Sequence, residues 1–99
     1  MRIIAVRTLR EFWEQPDRGD AEQPLKAWVK EAEHAAWATP AHIKVLYGNA
    51  SIIGDNRIVF NIAGNRYRLV VKFHYNTGIG FIRFIGTHAE YDEIDVETV

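Results

Sequence analysis

Near its C-terminal end the chain reads "FIRFIGTHAEYDEID", with Thr87, His88, Glu90, Tyr91 and Asp92 almost side by side at the end of an apolar run. An imidazole exchanges protons near neutral pH, and a neighbouring phenol and carboxylate could orient it or share its work. The spacing also carries a plainer reading. Thr87 followed three residues later by Glu90 is a capping box, which accounts for both residues as the start of a helix. On such a helix Tyr91 falls one turn beyond His88, on the same side. A short way upstream, Arg66, Arg68 and Lys72 alternate along a second apolar run, and Arg83 lies in the next. Guanidinium groups grip phosphate oxygens two at a time, so these cations could form a phosphate-binding surface; equally, alternation requires polar residues on any solvent-facing side of a sheet. The remaining histidines carry less: His34 falls on the polar side of a helical pattern, His42 in a short one and His74 at a strand end. His74, His88 and Asp92 could be imagined around a metal, but no close ligand spacing such as H-E-x-x-H is present.

These residues must be held by elements that the periodicity makes legible. "RIIAV" is a short apolar opening compatible with a strand. "TLREFWEQP" predicts a helix capped by Thr8, with Glu11 at the capping-box position and Pro16 as its stop. "AEQPLKAWVKEAEHAAW" sets Leu25, Trp28, Val29, Ala32 and Ala36 on one stripe, with Pro24 in the first turn. Thr39 and Pro40 announce a third helix, which Gly48 and Asn49 close. From Arg57 the period becomes two: "RIVFNI", "RYRLVVKFHY" and "IGFIRFIG" predict strands joined by short turns at Gly64-Asn65 and Asn76-Thr77-Gly78. In the middle strand Tyr67, Leu69, Val71, Phe73 and Tyr75 point one way, and Arg66, Arg68, Lys72 and His74 the other, with Val70 among them. The expected architecture is α+β: N-terminal helices packed on one face of a three- or four-stranded, mainly antiparallel sheet whose other face is open and basic.

Size and charge bound the possibilities. The 99 residues predict a single domain spanning 1–99, and the 47 % hydrophobic content and twelve per cent aromatics exclude a disordered chain. The chain has no cysteine, hence no disulfide and no thiolate metal site. It has no apolar run of membrane-spanning length, and "MRIIAVRTLREF" lacks the apolar core of a signal peptide, so a cytoplasmic protein is expected. The net charge of −1 hides an asymmetry. Residues 40–91 hold six Lys and Arg against two Asp and Glu, a local +4, whereas residues 92–99 hold none against four, a local −4. The acidic tail could offset a basic groove while lying elsewhere in space, or contact a partner.

The run "RIVFNIAGNRYRLVVKFHYNTGIGFIRFIGTHAEYDEID" resembles the HigB-type toxins of bacterial type II toxin–antitoxin modules, members of the RelE-like superfamily. Its pattern of V-F-N-I, then G-N-x-Y-R-L, then I-R-F-x-G-T-H-x-E-Y-D occurs here in order. "LREFWEQPDRGDAEQPLKAW" and "WATPAHIKVLYGNA" are similar to the helices and connecting segment of that family. The resemblance implies a RelE-like fold and an mRNA-cleaving toxin. Such toxins act with no metal or other cofactor: the ribose 2′-hydroxyl attacks the adjacent phosphate. It also implies two partners, mRNA, free or on the ribosome, and a helix-turn-helix antitoxin of the HigA type. Carried onto this chain, it implies catalytic roles for Arg68, at the phosphate or transition state, for His88 as general acid or base, and for Tyr91, stacking on a base or orienting the phosphate. Arg66, Lys72 and Arg83 would position RNA, with Lys72 a further proton-transfer group if its surroundings lower its pKa. A toxin-like fold that binds RNA or protein without cleaving is the alternative.

Overall fold

The computed structural model describes residues 1–99. The elements follow in the order β1 (Arg2–Ile4), α1 (Val6–Trp13), a 3₁₀ turn (Gly19–Ala21), α2 (Glu22–His34), α3 (Pro40–Leu46), β2 (Ser51–Ile53), β3 (Arg57–Ile62), β4 (Tyr67–His74), β5 (Ile79–Thr87) and α4 (His88–Asp92). The strands make one sheet of order β1-β5-β4-β3-β2; β1 runs parallel to β5 and the other neighbours are antiparallel. The α+β class and the β3-β4-β5 meander are as the periodicity predicts. The sheet has five strands rather than three or four, because β1 joins one edge and β2 the other. Both additions are three residues long, too short for an alternation signal.

Helix boundaries follow their local chemistry. Thr39 caps α3 by accepting from the His42 amide, with Pro40 directly after it. Pro24 sits in the first turn of α2. The capping box predicted at Thr8 is not formed. Helix α1 begins three residues earlier, with Ala5 rather than Thr8 at the cap position and Val6 first, and the Thr8 amide bonds the Ala5 carbonyl, leaving Thr8 an exposed residue inside the helix. The stripe of α2 also ends early: Leu25, Trp28 and Ala32 are buried, but the helix stops at His34 and Ala36 is exposed beyond it.

The helices cover one face of the sheet. Leu9 and Phe12 of α1, Leu25 and Trp28 of α2 and Ile43 of α3 join Ile58, Phe60, Leu69, Val71 and Phe73 in a single buried cluster. Burying each large side chain contributes about 1.5–3 kcal/mol. Phe60 is its hub, meeting Trp28 and Tyr47 edge-to-face at 5.2 Å centroid separation each and Phe73 at 6.2 Å.

The opposite face is not open. Val59 and Val70 point away from the helices yet are 4 % and 0 % exposed and lie outside the main cluster. Residues beyond α4 fold back over this face. The Val99 carbonyl accepts from Arg57 Nε and Nη2, at 3.2 and 2.7 Å, and from Arg83 Nε at 3.2 Å. Asp95 organises the turn that brings it there: its backbone carbonyl accepts from the Thr98 and Val99 amides and its side chain from that of Glu97. The acidic tail therefore lies on the cationic face, not elsewhere. It is held there through the Val99 main-chain oxygen rather than by its acidic side chains, none of which pairs with a cation of the sheet. Arg57, 5 % exposed, is the one buried charged residue and is satisfied by Asp55 and Val99 together. Replacing Arg57 by methionine, which keeps the apolar stem, should cost roughly 1–3 kcal/mol. Amide exchange should accelerate at residues 94–99 before it does so in β4; unchanged protection of the tail would show that Arg57 does not hold it.

Candidate active site

The end of β5 and the start of β4 are brought together by register: Thr87 pairs with Tyr67 and Gly86 with Arg68. Between them the ladder carries a bulge. Val70 faces Phe84 while Val71 faces Ile82, so Arg83 is the extra residue on β5. Gly86 is required here. A Cβ on it would come within 2.5 Å of the Phe84 ring and 3.1 Å of the Glu90 carboxylate. The bare Gly86 leaves space for both side chains, and α4, which follows the strand directly, rests against β4 and β5.

The predicted capping box of α4 is formed. The Glu90 amide donates to Thr87 Oγ1 at 3.1 Å, and the Thr87 amide donates to Glu90 Oε1 at 2.8 Å. The second oxygen of Glu90 receives Arg18 Nη2 at 3.0 Å, a link between the α1–α2 loop and the C-terminal helix. His88, the first residue of α4, is exposed and places Nδ1 3.2 Å from Asp92 Oδ2. The carboxylate on one ring nitrogen orients the imidazole and leaves Nε2 directed to other partners. Tyr91 turns to the sheet instead, its ring 6.4 Å from that of Phe84.

An open groove of about 520 Å³ runs past this helix start, with Arg18, Asn65, Arg66 and His88 among its walls. Arg66 projects into solvent and is anchored by Asp20 at 2.8 Å, and the same carboxylate accepts from the buried Tyr67 hydroxyl. That bond raises the pKa of the Tyr67 hydroxyl, since removing its proton would set two negative charges together. Arg68 lies on the neighbouring face, its guanidinium donating to the Asn65 and Tyr67 carbonyls at 3.0 and 3.3 Å. It makes no ion pair, so its charge is uncompensated.

The sequence-nominated residues thus separate into two groups. His88 and Arg66 share the groove, Arg68 flanks it through Asn65, and Tyr91 lies one turn along α4. Lys72 and Arg83 belong elsewhere: Lys72 is ion-paired to Asp55 at 3.1 Å, and Arg83 bonds the Val99 carbonyl. Asp55 holds Lys72 and Arg57 at once, and the hydrogen bonds from those two groups lower its pKa. No group of three or more His, Cys, Asp or Glu residues converges as a metal-ligand set. Arg18, Asp20 and Asn65 were not singled out by sequence. Arg18 contacts Glu90 across 72 positions of chain, and no local spacing encodes such a contact.

Glu90 titrates with a definite sign. Its bond from the Thr87 amide, then that from Arg18, hold its carboxyl below the ordinary carboxylate value. A lowered folded pKa contributes stability that is complete above the unfolded value and is lost as pH falls through the folded one. Glu90→Gln should therefore lower stability at pH 7 by about 0.5–1 kcal/mol, the range of a cap and an exposed ion pair. The gap between variant and parent should close as pH falls below the usual carboxylate range. Thermal melts across that range test it, and a gap that persists in acid would mean the carboxylate's charge is not what stabilises α4.

Among protein families, residues 21–94 match HigB_toxin, described as the RelE-like toxic component of a toxin-antitoxin system. No curated protein sequence matches the chain. The matched segment covers α2 through α4, including β4, the hairpin turn at Asn65 and the whole Thr87–Asp92 segment. With the predicted meander and capping box in place and most of its length matched, the chain belongs to the HigB_toxin family of RelE-like toxins, the toxic components of toxin–antitoxin systems.

Proposed function

We propose that this toxin is an endoribonuclease that cleaves mRNA by attack of a ribose 2′-hydroxyl on its own 3′-phosphate, with no metal or other cofactor. The observation that carries the reading is the His88 imidazole, oriented by Asp92, in one groove with Arg66 and beside the unpaired charge of Arg68.

The chemistry needs three things. A proton must leave the 2′-oxygen, negative charge on the phosphorane-like transition state must be stabilised, and a proton must reach the departing 5′-oxygen. His88 Nε2 is suited to one of the two proton transfers. Arg68 is suited to the phosphate, because a guanidinium held only by carbonyls retains its full charge for an incoming anion. Tyr91, on the same short helix, is suited to stacking on a base or orienting the phosphate. Arg66 would position RNA at the groove. Lys72 and Arg83 would do so along the sheet face only where the strand displaces their internal partners. Attack by the 2′-oxygen breaks the bond to the 5′-oxygen and leaves a 2′,3′-cyclic phosphate and a 5′-hydroxyl. The antitoxin that the family implies is expected to be of the helix-turn-helix, HigA-like kind. The site of action, free mRNA or the ribosome, follows from the same reading as a cytoplasmic one.

Induced without its antitoxin, the protein should arrest growth and cut transcripts. His88→Ala and Arg68→Ala should each reduce cleavage by on the order of a hundredfold or more while the melting temperature holds. Full toxicity of both variants would refute the assignment of the site. Shifted but uncut RNA with the parent protein would favour the binding-only alternative.

A further inference from the structure

Three large aliphatic side chains remain exposed: Val45 at 83 %, Leu46 at 56 % and Ile52 at 54 %. They fall on one continuous stretch, the end of α3 and strand β2. Singly such residues are ordinary; three within eight residues of chain are not. Leu46 also lines a groove of about 300 Å³ of mixed character, with Tyr47, Ala50 and Phe60 on its apolar side and Asn49 and Asn61 on its polar one. Strand β2 ends the sheet, and only β3 pairs with it. Its outer edge is therefore unpaired, in a strand with neither proline nor charge to protect it.

The charge of this region is as distinctive. Residues 39–54, "TPAHIKVLYGNASIIG", contain no Asp or Glu in a chain that carries thirteen. Their one Lys, Lys44, is directed inward to the Gly48 and Ala50 carbonyls at 2.7 Å each. These residues thus present exposed aliphatic side chains with no free charge of their own, bordered by an open strand edge. Such a surface fits an apolar segment whose backbone can extend the sheet. A polyanionic RNA has no apolar side chains to place there, and the cations nominated for RNA lie on other elements.

We infer that the α3–β2 edge, centred on Val45, Leu46 and Ile52, is the docking surface for the antitoxin, which lays an apolar segment along the free side of β2. The family fixes the class of partner, since a toxic component of a toxin–antitoxin system must be held by an antitoxin. The inference does not depend on RNA cleavage. On this account neutralisation begins away from His88, and toxin and antitoxin functions can be separated by mutation.

The test replaces Val45 and Leu46 by glutamate, with Val45→Glu alone as the milder variant and Ile52→Glu as an independent one. Each is produced with and without the antitoxin encoded beside the toxin, and binding of the purified antitoxin is titrated against the full-length toxin. The expected result is undiminished toxicity with neutralisation lost, and antitoxin affinity reduced by roughly tenfold or more. Unchanged affinity for all three folded variants overturns the proposal. So does a parent toxin that sediments as a dimer which Val45→Glu disperses, because the surface would then belong to a second copy. Should the parent prove non-toxic, the ribonuclease reading fails while the titration still decides this one.

Discussion

The pairing of β4 with β5 is the constraint on which the candidate site depends. Tyr67 opposite Thr87 and Arg68 opposite Gly86 set the start of one strand against the end of the other. A glycine at position 86 then leaves room for the Phe84 ring and the Glu90 carboxylate beside the start of α4. A slip of one residue would move every β5 side chain to the wrong face and carry the helix start away from Arg66 and Arg68. The bulge at Arg83 belongs to the same design. It absorbs one residue, so that Ile82 and Ile85 both face the helices despite their odd spacing, and Phe84 is left on the other side to support Tyr91.

That second side changes what the cations mean. Of the positive groups in the middle of the chain, Arg57, Arg66 and Lys72 meet carboxylates of the same molecule, and Arg83 meets a backbone carbonyl. Internal pairing of this kind lets a slightly acidic protein present a cationic site without a broad basic surface. Two acidic residues outside the strands do much of the arranging: Asp20 joins the buried Tyr67 to the exposed Arg66, and Asp55 joins Arg57 to Lys72. Arg68 stands apart because carbonyls alone hold it.

What the sequence made legible was local. Alternation placed Leu69, Val71 and Phe73 in the core, and the T-x-x-E spacing placed α4, because each depends on neighbours within a few residues. Thr8 shows the limit of such rules. Its spacing to Glu11 satisfies the capping pattern, but Val6 packs against the core and the helix start lies three residues upstream, out of register with that box. The tail shows another limit. Its charge was plain, whereas its place on the sheet depends on Arg57 and Arg83, which lie on β3 and β5 and are far apart in sequence. Arg18 and Asp20 were unreadable for the same reason, since their partners are Glu90 and the Arg66–Tyr67 pair, far along the chain.

The central claim is that the chain cuts RNA through a 2′-hydroxyl attack at the His88 groove. The most direct test is the chemistry of the ends in transcripts recovered after the toxin is induced alone. Fragments ending in a 2′,3′-cyclic phosphate, followed by fragments beginning with a 5′-hydroxyl, are predicted, and both should disappear with His88→Ala. Intact transcripts in arrested cells, or new ends bearing 5′-phosphate and 3′-hydroxyl, would contradict it.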